Sequence, residues 1–152
     1  MPRIEESGGT YFVNFSLLDE KSALTTTERQ LAYKVILDGN AIRYYLHAFV
    51  IMPTHVHLLV QALVDGKPVP LPKIMHNVKG YSALVINKSR GCKGALWLPR
   101  SNNRLITSTF EYDQKRDYIF DNPRRARLVK DPLEYPYLWF IGKDRDRNPE
   151  PG

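Results

Sequence analysis

A single cysteine, Cys92, stands among 152 residues, so the chain can close no internal disulfide and cannot build a cysteine-rich zinc site. No apolar run approaches the ~20 residues of a membrane-spanning helix, and Met1 to Gly9 has no apolar signal region. Together these absences lead us to expect a cytoplasmic protein. Internal repeats and interdomain linkers are also missing. Carboxylates are scarce where cations are dense: from Lys73 to Lys130 there are 13 basic and 4 acidic residues, a net of +9, while the rest of the chain carries −3. Positive charge gathered into one segment is the footprint of a polyanion binder. What is present, 43% hydrophobic and 25% charged residues, excludes a disordered chain and suits one domain with its own core.

The hydrophobic pattern predicts an α+β order. Tyr11 to Leu17 alternates as a strand. Thr25-x-x-Glu28 reads as a capping box opening a helix through about Leu37, which Asp38-Gly39-Asn40 stops. Arg43 to Met52 is aromatic and β-branched on both faces, as in a central strand. After Pro53-Thr54, His55 to Gln61 alternates cleanly, with Val56, Leu58 and Val60 on one face and His55, His57, Leu59 and Gln61 on the other. Asp65 to Pro72 reads as a loop. Lys73 to Lys88 reads as a helix striped by Ile74, Val78, Tyr81 and Val85. Leu96 to Ile106 could hold an edge strand, since Pro99 argues against a central one. Phe110 to Asp121 reads as a helix closed by Asn122-Pro123, with one more turn possible over Arg124 to Val129. This order suggests a ferredoxin-like antiparallel sheet with helices packed on one face. The domain would span residues 1–140, with a disordered tail over 141–152.

His55-Val56-His57 carries the first chemical signal. On a strand, residues two apart share a face, so both imidazoles can converge on one divalent ion and leave coordination positions open. His47 and His76 have no such partner and read as structural. The second signal is Tyr118-Ile119-Phe120-Asp121-Asn122, which places a phenol and an amide oxygen one helical turn apart. An amide oxygen suits Mg²⁺ or Mn²⁺, and the phenol is a candidate nucleophile. Because Pro123 disfavours helical geometry at Asn122, Asp121 is a fallback ligand.

With those residues in place, the sequence resembles the HUH single-strand transposases. Tyr44 to Val60 looks like their metal-site block. Lys79-Gly80-Tyr81, Leu96-Trp97, the Tyr118 to Val129 block with Asn122-Pro123, then Asp131-Pro132 and Tyr135-Pro136 follow in the expected order. The Asn-Pro block and the later Tyr-Pro are most similar to REP-associated tyrosine transposases of the IS200-like group. The resemblance implies His55 and His57 as metal ligands, Asn122 completing the site, and Tyr118 as nucleophile on a C-terminal helix. The implied cofactor is Mg²⁺ or Mn²⁺. The implied reaction is cleavage and rejoining of single-stranded DNA through a 5′-phosphotyrosine, and the implied partner is DNA with a REP-like hairpin. The REP-associated branch resembles monomers, whereas insertion-element relatives share the tyrosine helix within a dimer. Two departures stand out. The family's acidic residue before Arg104 is Asn103 here, and its usual glycine after Ala126 is Arg127.

The basic segment nominates Lys73, Lys79, Arg100, Arg104, Lys115, Arg124 and Arg125 for DNA contact, with Tyr81, Trp97 and Phe110 as stacking or packing aromatics. Among the other tyrosines, Tyr44, Tyr45 and Tyr81 are expected to pack, Tyr112 lies on the Tyr118 helix but off its face, and Tyr135 and Tyr137 are expected on a mobile segment. Two competing readings remain. A non-catalytic single-stranded nucleic-acid-binding domain should have lost His55, His57 or Tyr118, and all three are present. A hydrolase using metal-activated water would need an acidic residue near His57, and none is within a few positions.

Overall fold

The computed structural model describes residues 8–143. In chain order the elements are β1 (Thr10–Ser16), α1 (Thr26–Asp38), β2 (Tyr45–Ile51), β3 (His55–Gln61), β4 (Leu63–Val64), β5 (Lys67–Pro68), α2 (Leu71–Arg90), β6 (Asn102–Leu105), α3 (Thr109–Arg125) and β7 (Leu138–Phe140). Five strands form one antiparallel sheet in the order β6-β1-β3-β2-β7, which is the ferredoxin-like arrangement with β7 added at one edge. No helix among the described residues is long and apolar enough to cross a membrane.

Strand alternation divides the interior into two cores. Tyr11, Val13 and Phe15 of β1, Phe49 and Ile51 of β2, and Val56, Leu58 and Val60 of β3 face α1 and α2, meeting Ala32, Ile36, Ile74 and Val78. Phe12, Ala48, Val50 and Leu59 face the opposite way, toward Ile119 of α3. The one-face packing expected of the helices therefore describes α1 and α2, while α3 covers the other face. The Thr25 capping box forms in full, and the Glu28 carboxylate that closes it also accepts two hydrogen bonds from the Arg90 guanidinium, at 2.7 and 3.0 Å. Arg90 holds the Glu28 carboxyl below its ordinary range, so this pair ties the start of α1 to the end of α2.

Four local differences from the sequence reading have physical causes. Helix α2 begins two residues early, because Pro72 sits in its first turn, where a missing N–H costs nothing. Its buried stripe is Ile74, Val78, Ser82 and Ile86, so Tyr81 and Val85 fall off it and Tyr81 is exposed. A buried serine conceals the phase of that stripe. Ser82 donates to the Val78 carbonyl and accepts from the indole N–H of Trp97, which satisfies it inside the core. Helix α3 runs through Pro123 to Arg125 and does not stop at Asn122. The pyrrolidine ring is buried beneath the helix, and the chain leaves through Arg127 at φ 61°.

The fourth difference is the end of the chain. Tyr135 does not lie on a mobile segment: it is buried, donates to the Ile51 carbonyl at 2.6 Å and accepts from Arg29. Leu138 to Phe140 then pairs with β2, a strand too short to show a period. Lys143, expected in the tail, is buried and donates to the Leu138 carbonyl. Residues 144–152 of that tail lie outside the described residues.

Candidate active site

The face of the sheet beneath α3 carries polar chemistry among apolar neighbours. From β3 it receives His55 and His57, whose ring centroids are 4.8 Å apart. From β1 it receives Phe12 and Asn14, and the antiparallel register sets Asn14 directly opposite His57. From above, α3 lowers Tyr118 onto this cluster. The Tyr118 ring stands 5.3 Å from His57 and 6.0 Å from Phe12, nearly perpendicular to both. Phe12 lies parallel to the His57 ring at 6.1 Å. The anchor of this geometry is Ile119, wholly buried beside Tyr118, which itself keeps about a third of its surface open.

Each imidazole has its Nδ1 engaged. His55 Nδ1 meets Thr54 Oγ1 at 3.1 Å, and His57 Nδ1 meets Oδ1 of Asn14. Among the described residues, the Nε2 atom of His57 is buried without a hydrogen-bond partner. Burial, helped by the neighbouring His55, pushes the His57 pKa down to about 3, and burial lowers His55 too. Both rings are therefore neutral near pH 7, the state a metal ligand requires. A buried, orphaned ring nitrogen beside a second neutral imidazole fits a small divalent cation. Among the described residues no group of three or more His, Cys, Asp or Glu is gathered to hold a metal, so any further ligand from the described residues would be a group of another kind, such as an amide oxygen. Asn122, half-buried one turn beyond Tyr118 on the uninterrupted helix, has the amide oxygen for that purpose. The fallback ligand Asp121 is already engaged, with Arg124 bonded to both its oxygens at 2.6 and 2.7 Å.

The nominated cations separate into three groups. Arg125 lies over the Tyr118 ring at 5.3 Å and Lys115 over the neighbouring Phe12 ring at 4.9 Å, so one positive charge covers the phenol and a second covers the ring beside it. Arg104 is held bidentately by Glu111, and Arg124 by Asp121. The Lys79 ammonium donates to the Leu98 and Pro99 carbonyls, strapping that loop to α2, and partial burial lowers its pKa. Lys73 and Arg100 are exposed, on α2 and on the loop before β6. Trp97 packs edge-on against Phe15 and is buried, so it is a packing residue, while Phe110 is 77% exposed at the start of α3.

Tyr112 is held elsewhere. Its hydroxyl meets His47 Nδ1 at 2.7 Å, and His47 Nε2 meets Gln61 at 3.2 Å, toward the β7 side of the sheet. A bulge in β2 between Leu46 and Ala48 turns His47 toward α3. His76 is exposed on α2. The residue that sequence reasoning missed is Asn14. Its signal was an amide on the polar face of an otherwise apolar strand, and only the β1–β3 register connects it with His57.

Residues 19–119 match the family described as "Transposase IS200 like", a span holding both histidines and Tyr118. The chain belongs to the IS200-like transposase family. It is similar to the REP-associated tyrosine transposase of Escherichia coli (strain K12), 28% identical over 134 residues that cover 88% of this chain and 77% of that one. Its fold matches a REP-associated tyrosine transposase solved bound to a REP hairpin, with TM-score 0.76, 25% identity, and coverage of 97% of this chain and 86% of the other. A structure from Deinococcus radiodurans shares the fold at TM-score 0.55 and 21% identity, covering 78% of this chain and 94% of that one. As an IS200-like transposase, the chain keeps the ferredoxin-like sheet and lays its tyrosine-bearing helix across the histidine face.

Proposed function

We propose that this IS200-like transposase cleaves and rejoins single-stranded DNA beside a hairpin, through a covalent bond between Tyr118 and a 5′-phosphate. The observation that carries the reading is the Tyr118 ring set 5.3 Å from His57 on one sheet face, with Arg125 over the phenol. The hairpin partner is taken from the relative solved with a REP hairpin, and the basic segment from Lys73 to Lys130 suits it.

His55, His57 and Asn122 would hold Mg²⁺ or Mn²⁺. When bound, such an ion polarises a phosphate oxygen and favours in-line displacement. The remaining work belongs to the chain. Arg125 and Lys115 draw the phosphate to the phenol and offset its charge. The Tyr118 oxygen attacks phosphorus, the bond to the 3′ oxygen breaks, and the phenolic proton ends on that oxygen as a free 3′-OH. Attack by a 3′-OH on the phosphotyrosine reverses the step, regenerating the phenol, so no nucleotide cofactor is needed. Ile119 and Pro123 are the buried residues of α3, and they fix the Tyr118 oxygen where misplacement by about 1 Å can cost ~10²-fold. Phe12, His57 and Tyr118 meet within one chain, which supports a monomer as the working unit.

The test is adduct formation on a hairpin-flanked single-stranded oligonucleotide with Mn²⁺, using wild type, His55→Ala and His57→Ala. Both variants are expected to lose cleavage while largely retaining DNA binding. A His57→Ala protein that nicks at the wild-type rate sinks the assignment of the site.

A further inference from the structure

We infer that Asn14 is the positioning residue for His57: its side-chain oxygen accepts from Nδ1–H and so leaves the buried Nε2 with a free lone pair for a divalent cation. The inference rests on the reading of His55 and His57 as a metal pair.

An imidazole has two neutral tautomers, and in water the Nε2–H form is preferred, which is the wrong form for a ligand that binds through Nε2. The partner of the other nitrogen decides between them. For His57 that partner is the Asn14 amide, delivered by the adjacent strand at the directly paired position. The amide could in principle present either end. With its nitrogen toward His57 it would donate to Nδ1 and force the ring proton onto Nε2. That atom has no acceptor among the described residues, and an orphaned buried N–H is the rarer and costlier defect. With its oxygen toward His57 the ring proton sits on Nδ1, and Nε2 is left as an acceptor that a cation can satisfy. Exchange of the two nitrogens by ring rotation is opposed by Phe12, whose ring lies within 4° of parallel to the imidazole. His55 follows the same pattern more weakly, since the Thr54 hydroxyl at its Nδ1 can either donate or accept. Asn14 is thus the one contact of the pair that imposes a tautomer through an oriented amide.

The experiment uses the full chain, freed of metal and labelled with ¹⁵N-histidine, and reads His57 by long-range ¹H–¹⁵N correlation near pH 7.5. Wild type is expected to show a protonated Nδ1 and a pyridine-like Nε2. Asn14→Asp keeps an acceptor and should retain that pattern, whereas Asn14→Leu, similar in size without an acceptor, should move the proton toward Nε2. Calorimetric Mn²⁺ titration without DNA should show Asn14→Leu weakened by about 10–100-fold and Asn14→Asp unweakened. A merely structural hydrogen bond would shift the melting temperature and leave tautomer and affinity unchanged. The wild-type spectrum needs no variant, so poor folding of Asn14→Leu does not shield the inference. Wild-type His57 protonated on Nε2 while Mn²⁺ still binds overturns the role of Asn14 alone. A wild type with the Nδ1–H tautomer that binds no Mn²⁺ overturns the metal reading and, with it, this role.

Discussion

His57 brings together most of what this face of the sheet does. It is stacked on Phe12, bonded to Asn14, set beside His55 and faced by Tyr118. Burial that suits it to hold a cation also makes it an acid liability. Its pKa falls from an ordinary 6.5 to about 3 in the fold, so below pH 6.5 the unfolded chain takes up a proton that the folded chain refuses. Stability of the metal-free protein should therefore be undiminished above pH 6.5 and fall as the pH drops toward 3, by up to ~1.4 kcal/mol per unit. Between pH 7 and 5, urea unfolding of wild type should lose about 2 kcal/mol more than His57→Gln, which cannot titrate. Parallel losses would place the imidazole in water. The His55-Val56-His57 spacing was legible in the sequence because strand alternation is a local rule. Asn14 was not, since pairing across 43 positions depends on register and not on spacing.

Among the elements, α3 departs furthest from its local sequence. Asn122-Pro123 reads as a stop, yet the helix continues to Arg125, because the buried proline ring and the Ile119 anchor outweigh one missing hydrogen bond. That continuity keeps Asn122 on the turn after Tyr118. The chain then turns in the left-handed region at Arg127, a backbone conformation that favours glycine. A side chain there is strained, so Arg127→Gly should stabilise the protein by about 0.5–1 kcal/mol, read as a raised thermal midpoint. No gain would mean that the Arg127 side chain makes compensating contacts. The strand at His55 to Gln61 and the Thr25 cap were legible because each is written in adjacent residues. β7 was hidden by its length of three residues and by a prolyl, acidic approach that reads as tail.

Across the whole molecule, the net +9 segment does not act as a uniform surface. Of the seven nominated cations, Arg104 and Arg124 are held by carboxylates and Lys79 by carbonyls, which leaves Lys73, Arg100, Lys115 and Arg125 as the nominated cations most available to phosphate. Four such contacts give a slope of log affinity against log salt of about −3 on single-stranded DNA. Arg125→Ala should shallow that slope by about 0.7, and Arg124→Ala by less. Equal effects would show that the Asp121 pairing opens on binding. Composition pointed to a polyanion partner, while the side-chain pairing that sorts these cations is visible only in three dimensions.

The central claim is that Tyr118, of nine tyrosines, takes the DNA. Tyr112 is its rival on the same helix, but its hydroxyl is tied to His47, away from the histidine pair. The most direct measurement is peptide mapping by mass spectrometry of the covalent product formed with a hairpin-flanked oligonucleotide and Mn²⁺, for wild type, Tyr118→Phe and Tyr112→Phe. The account predicts the 5′-phosphorylated oligonucleotide on the Tyr118 peptide in wild type and Tyr112→Phe, and no adduct in a normally folded, DNA-binding Tyr118→Phe. An adduct on any other tyrosine, or one that survives Tyr118→Phe, would contradict it.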